Sequence, residues 1–103
     1  MKDDVCVKFV IKTNASNKVL IVGNIPALGG WDPSKAVELK NEGDSTFTVS
    51  KKMATGQMVE FKVLCDKSWE KVEKGAYNEE IKNHIITPYD GLVVELEVAR
   101  FNK

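Results

Sequence analysis

One pattern recurs along most of the chain: a short run in which every second side chain is apolar, closed by residues that favour turns. Val5, Val7, Phe9 and Ile11 alternate with Cys6, Lys8 and Val10. Val59, Phe61, Val63 and Cys65 share one register and leave Glu60, Lys62 and Leu64 on the other. Leu92, Val94, Leu96 and Val98 mark a long closing run that Arg100 and Phe101 extend. A period of two matches the pleat of a half-buried strand and cannot gather its apolar residues on one stripe of a helix. The wholly apolar residues 19–22, Val37 with Leu39, residues 47–51 and residues 84–87 read as further short strands. Between them lie turn-formers: the small and polar residues 13–18, the polar residues 40–45, Thr55-Gly56 and residues 88–91. Residues 5–11 and 19–22 are expected to form a hairpin across the first of these turns. About seven strands at spacings of roughly eight to twelve residues, without helical periodicity, predict an all-β sandwich.

Residues 22–33, VGNIPALGGWDP, interrupt the pattern. Three glycines, two prolines and an asparagine in twelve residues preclude regular structure, yet the segment delivers Trp31 directly behind Gly29 and Gly30. A loop that folds tightly on a rigid scaffold and holds an indole at a defined angle is a common place for a binding group, and Leu28 is expected to point inward as its anchor. Trp69 stands between Ser68 and Glu70 within residues 67–83, a polar stretch that follows neither the helical nor the strand period. At about seventeen residues this stretch is long for an irregular connection, so it is either functional or carries a short helical turn. A lone loop tryptophan commonly plugs a sheet edge or caps the core. Two in separate polar loops would need two apolar pockets that their sequence neighbours do not supply, so both indoles are expected at the surface.

Composition narrows the chemistry. A length of 103 residues makes one domain, and 43% apolar with 29% charged residues describes an ordinary soluble globular chain. Fifteen basic and fifteen acidic residues are interleaved, which leaves no net charge and argues against a nucleic-acid partner. No segment approaches the roughly eighteen consecutive apolar residues that cross a bilayer. Residues 1–10 hold two acids ahead of an alternating run and lack the apolar core of a secretory signal. Cys6 and Cys65 are able to pair, but two buried free thiols in a reducing compartment is the simpler reading, and a cytoplasmic location is expected. Asn14-Ala15-Ser16 fits the glycosylation acceptor pattern, which matters only in an exported protein.

An enzyme needs a nucleophile with its base, paired carboxylates on one frame, or a metal cluster. The single histidine, His84, reads as an ordinary polar residue near a strand end, and Glu70, Glu73, Glu79 and Glu80 read as a solvated face. Neither cysteine has a histidine or cysteine at metal-ligand spacing. Gly29-Gly30 leads into Trp-Asp where a phosphate loop would continue into Lys-Ser. No catalytic group, metal or cofactor is expected. Aromatic rings on polar loops suit a sugar instead. The C–H face of a pyranose packs flat on indole, its hydroxyl rim takes hydrogen bonds from groups such as Lys62, Glu70 and asparagine, and a rigid ring loses little entropy in stacking.

The residues Val19-Leu20-Ile21-Val22-Gly23-Asn24, Leu28-Gly29-Gly30-Trp31-Asp32-Pro33, Ala36-Val37-Glu38-Leu39, Glu60-Phe61-Lys62 and Trp69-Glu70 form a spaced set. In that order, and over nearly the whole chain, the set resembles the starch-binding domains, carbohydrate-binding modules of family 20. The resemblance implies an immunoglobulin-like antiparallel β-sandwich, here of about seven or eight strands, that binds α-1,4-linked glucans without catalysis. The family's first site stacks glucose on two tryptophans beside a lysine and an asparagine. By motif position these fall on Trp31, Trp69 and Lys62, with Glu70 contributing a hydroxyl contact. The asparagine is Asn78 or Asn83, both ahead of Pro88 in a segment longer than the family's. The family's second site uses tyrosines in the first hairpin loop and in the loop before Phe47, and a tryptophan near the start of that strand. Residues 13–18 and 40–46 hold no aromatic, and Phe47 is expected in the core, so one site is expected. The resemblance further implies a single module, residues 1–103, excised from a larger protein whose catalytic domain it holds on starch or glycogen. The alternative is a sandwich that serves protein–protein interaction or regulation in glucan metabolism.

Overall fold

The computed structural model describes residues 4–14 and 18–101. They form β1 (Asp4–Lys12), β2 (Leu20–Gly23), β3 (Val37–Glu38), β4 (Lys40–Gly43), β5 (Thr46–Ala54), β6 (Val59–Leu64), β7 (Glu73–Lys74), β8 (His84–Ile86), β9 (Val93–Glu97) and β10 (Arg100–Phe101). One sheet runs β4-β5-β1-β9 and a second β3-β2-β6-β8, while β10 and β7 make a two-stranded ribbon. The expected all-β sandwich is present. Its longest ladder joins β1 to β5 from Asp4↔Ala54 to Lys12↔Thr46. The period-two residues Val7, Phe9 and Ile11 thereby share one core with Phe47, Met53, Val94 and Val98 of their own layer and Ile21, Val59, Phe61 and Val63 of the other. Phe9 and Phe61 meet across the layers edge to face, 5.2 Å apart at 82°.

Several local expectations change. β1 and β2 do not form a hairpin, because β1 is flanked by β5 and β9 whereas β2 pairs with β3 and β6. The wholly apolar β2 explains this: every one of its residues is buried, so it needs cover on both faces. Residues 40–45 are not merely a turn, since β4 pairs with β5 and the turn shrinks to Asp44 and Ser45. Both have positive φ, 53° and 60°, as the tightest hairpin loops require. The closing strand stops at Glu97, and Arg100 and Phe101 leave to pair with β7. β9 runs parallel to β1, with Lys8↔Val93 and Lys12↔Glu97, the one departure from antiparallel pairing among the described ladders. The thiols are free but not buried: Cys6 takes the outward register of β1 and is exposed, and Cys65 lies half-buried past the end of β6. The acceptor pattern at Asn14 runs into residues 15 and 16, outside the described residues.

The second sheet also carries a small apolar cluster on its outer face. Leu20, Val22 and Leu64 take the outward register, the face that Lys62 shares, and are fully buried. Trp31, Ala36 and Val72 cover them.

Candidate functional site

The loop after β2 is assembled by close backbone contacts. Gly23 faces Phe61 on β6, and a Cβ there would lie 2.6 Å from the Glu60 carbonyl oxygen and 2.8 Å from Leu28 Cδ1, so only glycine fits. Asn24 fastens the loop to β6: its N–H donates to the Glu60 carbonyl at 3.0 Å, and its Oδ1 accepts the Glu60 N–H at 3.0 Å. A 3₁₀ turn, Pro26–Leu28, then drives Leu28 into the core as expected. Gly29, at φ 86°, reverses the chain against the Lys35 carbonyl. Trp31 itself sits at φ 65° and returns its N–H to the Gly23 carbonyl at 2.7 Å. Asp32 caps a second 3₁₀ turn, Pro33–Lys35, accepting the Ser34 hydroxyl at 2.7 Å and the Ser34 N–H at 3.0 Å. These two bonds hold the Asp32 carboxyl below the usual carboxylate range. Trp31 ends half-buried on Leu20, Val22 and Leu64, a floor its sequence neighbours do not provide.

The second indole arrives by a separate route. Residues 67–83 do carry a short helical turn, Trp69–Lys71, capped by Ser68 Oγ, which accepts the Glu70 N–H at 3.1 Å. The turn is tied to the end of β6 by the Cys65 N–H, which donates to the Lys71 carbonyl at 3.0 Å, and by a bridge between Leu64 and Val72. Trp69 is left 42% exposed, with its ring 6.0 Å from that of Trp31 at an interplanar angle of 39°. Lys62 stands on the outward register of β6, opposite Val22. Together Trp31, Lys62 and Trp69, with Val72, Lys74, Glu80 and Asn83, line an open groove of about 290 Å³. Asn83 is oriented by its amide, Nδ2 donating to Glu60 Oε1 at 3.2 Å.

Of the six residues singled out from sequence, the groove gathers Trp31, Lys62, Trp69 and Asn83. Glu70 is exposed beside Trp69 but is not part of the groove wall. Asn78 turns the chain at φ 66°, donating its N–H to the Gly75 carbonyl at 2.9 Å, and does not line the groove. Lys74 and Glu80 were missed. They meet across an isolated bridge inside a stretch with no periodicity, so no local signal marks them.

Behind the groove, two sequence readings are overturned. Glu73 is not part of a solvated face: it is 3% exposed, and its Oε2 accepts the Val63 N–H at 2.8 Å. β8 reaches only as far as His84↔Phe61, so the Val63 N–H has no strand partner on that edge and the carboxylate supplies one. His84 is no plain surface residue either. Its Nε2 lies 2.8 and 3.0 Å from the two Glu73 oxygens, and its ring lies 5.1 Å from that of Phe61. The pair pins β7, and with it Lys74, to the sheet that carries Lys62.

The sequence profile of the starch binding domain matches residues 4–95. This chain belongs to the starch-binding domains. The family 20 carbohydrate-binding module of the maltotetraose-forming amylase of Pseudomonas saccharophila STB07 is similar at a TM-score of 0.73 and 25% identity, over 90% of this chain and 99% of that one. The γ-CGTase of alkalophilic Bacillus clarkii matches at 0.73 and 25%, over 94% of this chain and 15% of its own. An amylopullulanase of Thermoanaerobacter thermohydrosulfuricus is 38% identical over 69 residues, 67% of this chain and 4% of the enzyme. The starch-binding domain thus spans a small part of the CGTase and of the amylopullulanase, and is a non-catalytic, carbohydrate-binding sandwich homologous to modules attached to amylolytic enzymes. Phe47 is in the core as expected, 2% exposed.

Proposed function

We propose that this starch-binding domain binds α-1,4-linked glucans, whether starch, glycogen or maltooligosaccharides, through one stacking site, the groove of Trp31 and Trp69, and thereby holds an attached glucan-active enzyme on polysaccharide. The observation that carries this reading is the pair of indoles, 6.0 Å apart at 39°, along an open groove. Two tilted rings suit successive glucose units of a curving chain better than one flat stack. Each stacked ring contributes on the order of 1 kcal/mol beyond the area it hides. The Lys62 ammonium donates to sugar hydroxyls. The Asn83 carbonyl oxygen, left over once its Nδ2 has turned to Glu60, accepts from them. Glu70 and Asn78, which the resemblance also implied as contacts, do not line the groove, and Glu70 stands exposed beside Trp69. The attached enzyme is supported by the amylase, CGTase and amylopullulanase in which similar segments occur.

Titration with maltoheptaose or β-cyclodextrin is expected to change the tryptophan fluorescence, and Trp31→Ala is expected to abolish retention on insoluble starch while leaving the cooperative unfolding transition in place. A spectrum unaltered at millimolar sugar overturns the proposal. So does starch retention that survives both Trp31→Ala and Trp69→Ala, whereas a protein partner still bound by both folded variants would favour a protein-interaction role.

A further inference from the structure

We propose that Tyr77 is an outlying stacking position for the same glucan, reached by chains longer than the groove; the inference rests on the groove binding α-glucan. Lys74 and Glu80, joined across their bridge, both line the groove, and residues 75–79 make the loop between them. The loop is held internally. The Gly75 N–H donates to the Glu79 carbonyl at 2.9 Å, and the Asn78 N–H to the Gly75 carbonyl at 2.9 Å. The Glu79 carboxylate folds back into the space that a Cβ on Gly75 would fill, and it accepts the Tyr77 N–H at 2.9 Å.

Every polar contact of this turn thus points inward, while the Tyr77 side chain is 91% exposed and takes no part in the core. Tyr77 lies three residues from both Lys74 and Glu80, so its Cα is within about 10 Å of the groove. That is a few sugar units at most. A tyrosine ring fixes only two side-chain torsions when it stacks, presents an apolar face to the C–H side of a pyranose and keeps a phenol O–H for a hydroxyl. The loop therefore sets an amphipathic ring beside a groove too small to cover a long oligosaccharide.

The chain-length dependence of binding tests this. Calorimetric or fluorescence titrations of the wild type, Tyr77→Ala, Tyr77→Phe and Glu79→Ala with maltotriose and with maltoheptaose are compared, with Trp31→Ala alongside. Tyr77→Ala is expected to weaken maltoheptaose binding about three- to tenfold and leave maltotriose binding unchanged. Tyr77→Phe is expected to retain most of the long-chain affinity. Glu79→Ala, which releases the Tyr77 N–H, is expected to lose part of it. Because Tyr77 is outside the core, unfolding midpoints of its variants should match the wild type. Equal weakening of both sugars by Tyr77→Ala, or no weakening of either, overturns the inference while loss of both sugars in Trp31→Ala leaves the groove standing. Binding of both sugars that survives Trp31→Ala removes the groove reading, and this inference with it.

Discussion

Glu73 replaces a missing piece of β-ladder with a carboxylate, and its surroundings make the consequence calculable. Glu73→Ala leaves the buried Val63 N–H and the half-buried His84 Nε2 without their partner, which is expected to cost about 2 to 3 kcal/mol in urea unfolding. Glu73→Gln keeps an acceptor for Val63 and is expected to lose less. The other carboxylate of note, Asp32, works through pH. The Ser34 hydroxyl and N–H favour its charged form in the fold. The stabilisation is therefore complete above the ordinary carboxylate range and is lost as pH falls through the lowered folded-state value. The expected outcome is a difference in melting temperature between wild type and Asp32→Ala that is present at neutral pH and vanishes in strong acid. A difference that grows on acidification would contradict the assignment. Trp31 adds a third residue-level fact: a bulky side chain held at φ 65° is strained, and its bed of Leu20, Val22 and Leu64 is what offsets that strain.

That bed is a property of elements rather than residues, and it marks the limit of reading by period. Alternation places Leu64 opposite to Phe61 and Val63, correctly, and then assigns its face to solvent. The cover comes from Trp31 and Ala36 on one loop and Val72 on another, brought together only by the pairing of β2 with β6. The apolar alternation of β1, β6 and β9, the tight loop around Trp31 and the outward register of Lys62 were all legible, because each is set by neighbours in sequence. The β1–β2 hairpin failed for the converse reason: a turn-rich connection fits either a hairpin or a crossing between layers, and the two-faced burial of β2 decides. Lys74, Glu80 and the Glu73–His84 pair were illegible because single bridges in an aperiodic stretch leave no pattern. If the outer cluster does support the groove, Leu64→Ala should destabilise the fold by about 2 to 5 kcal/mol and, in the population still folded, weaken glucan binding without touching the ligand. Gly23→Ala should act similarly through the 2.6 Å approach to the Glu60 carbonyl, since neither backbone is free to retreat. Denaturation and fluorescence titration on the same samples separate the two effects, and unchanged affinity in folded Leu64→Ala would show that Trp31 keeps its angle without that floor.

At the scale of the molecule, fifteen positive and fifteen negative charges cancel, and the proposed ligand is neutral. Stacking and hydrogen bonding to a neutral chain release no condensed counterions, whereas a polyanion contacted at several points loses orders of magnitude in affinity between about 50 and 200 mM salt. Maltoheptaose binding should therefore stay within about twofold over that range. One small groove also implies weak binding of a single chain, so the benefit to an attached enzyme must come from tethering. Once the module is docked, the catalytic domain meets nearby chains at an effective concentration set by the linker, in the millimolar range for short flexible ones. This gain exists only where the substrate offers many chains on one surface. In a fusion to an amylase, Trp31→Ala should accordingly slow release of sugar from granular starch severalfold and leave hydrolysis of soluble maltoheptaose as it was. A variant that slowed both alike would place the module's effect in the catalytic domain itself, because tethering has no means of changing a reaction whose substrate diffuses freely.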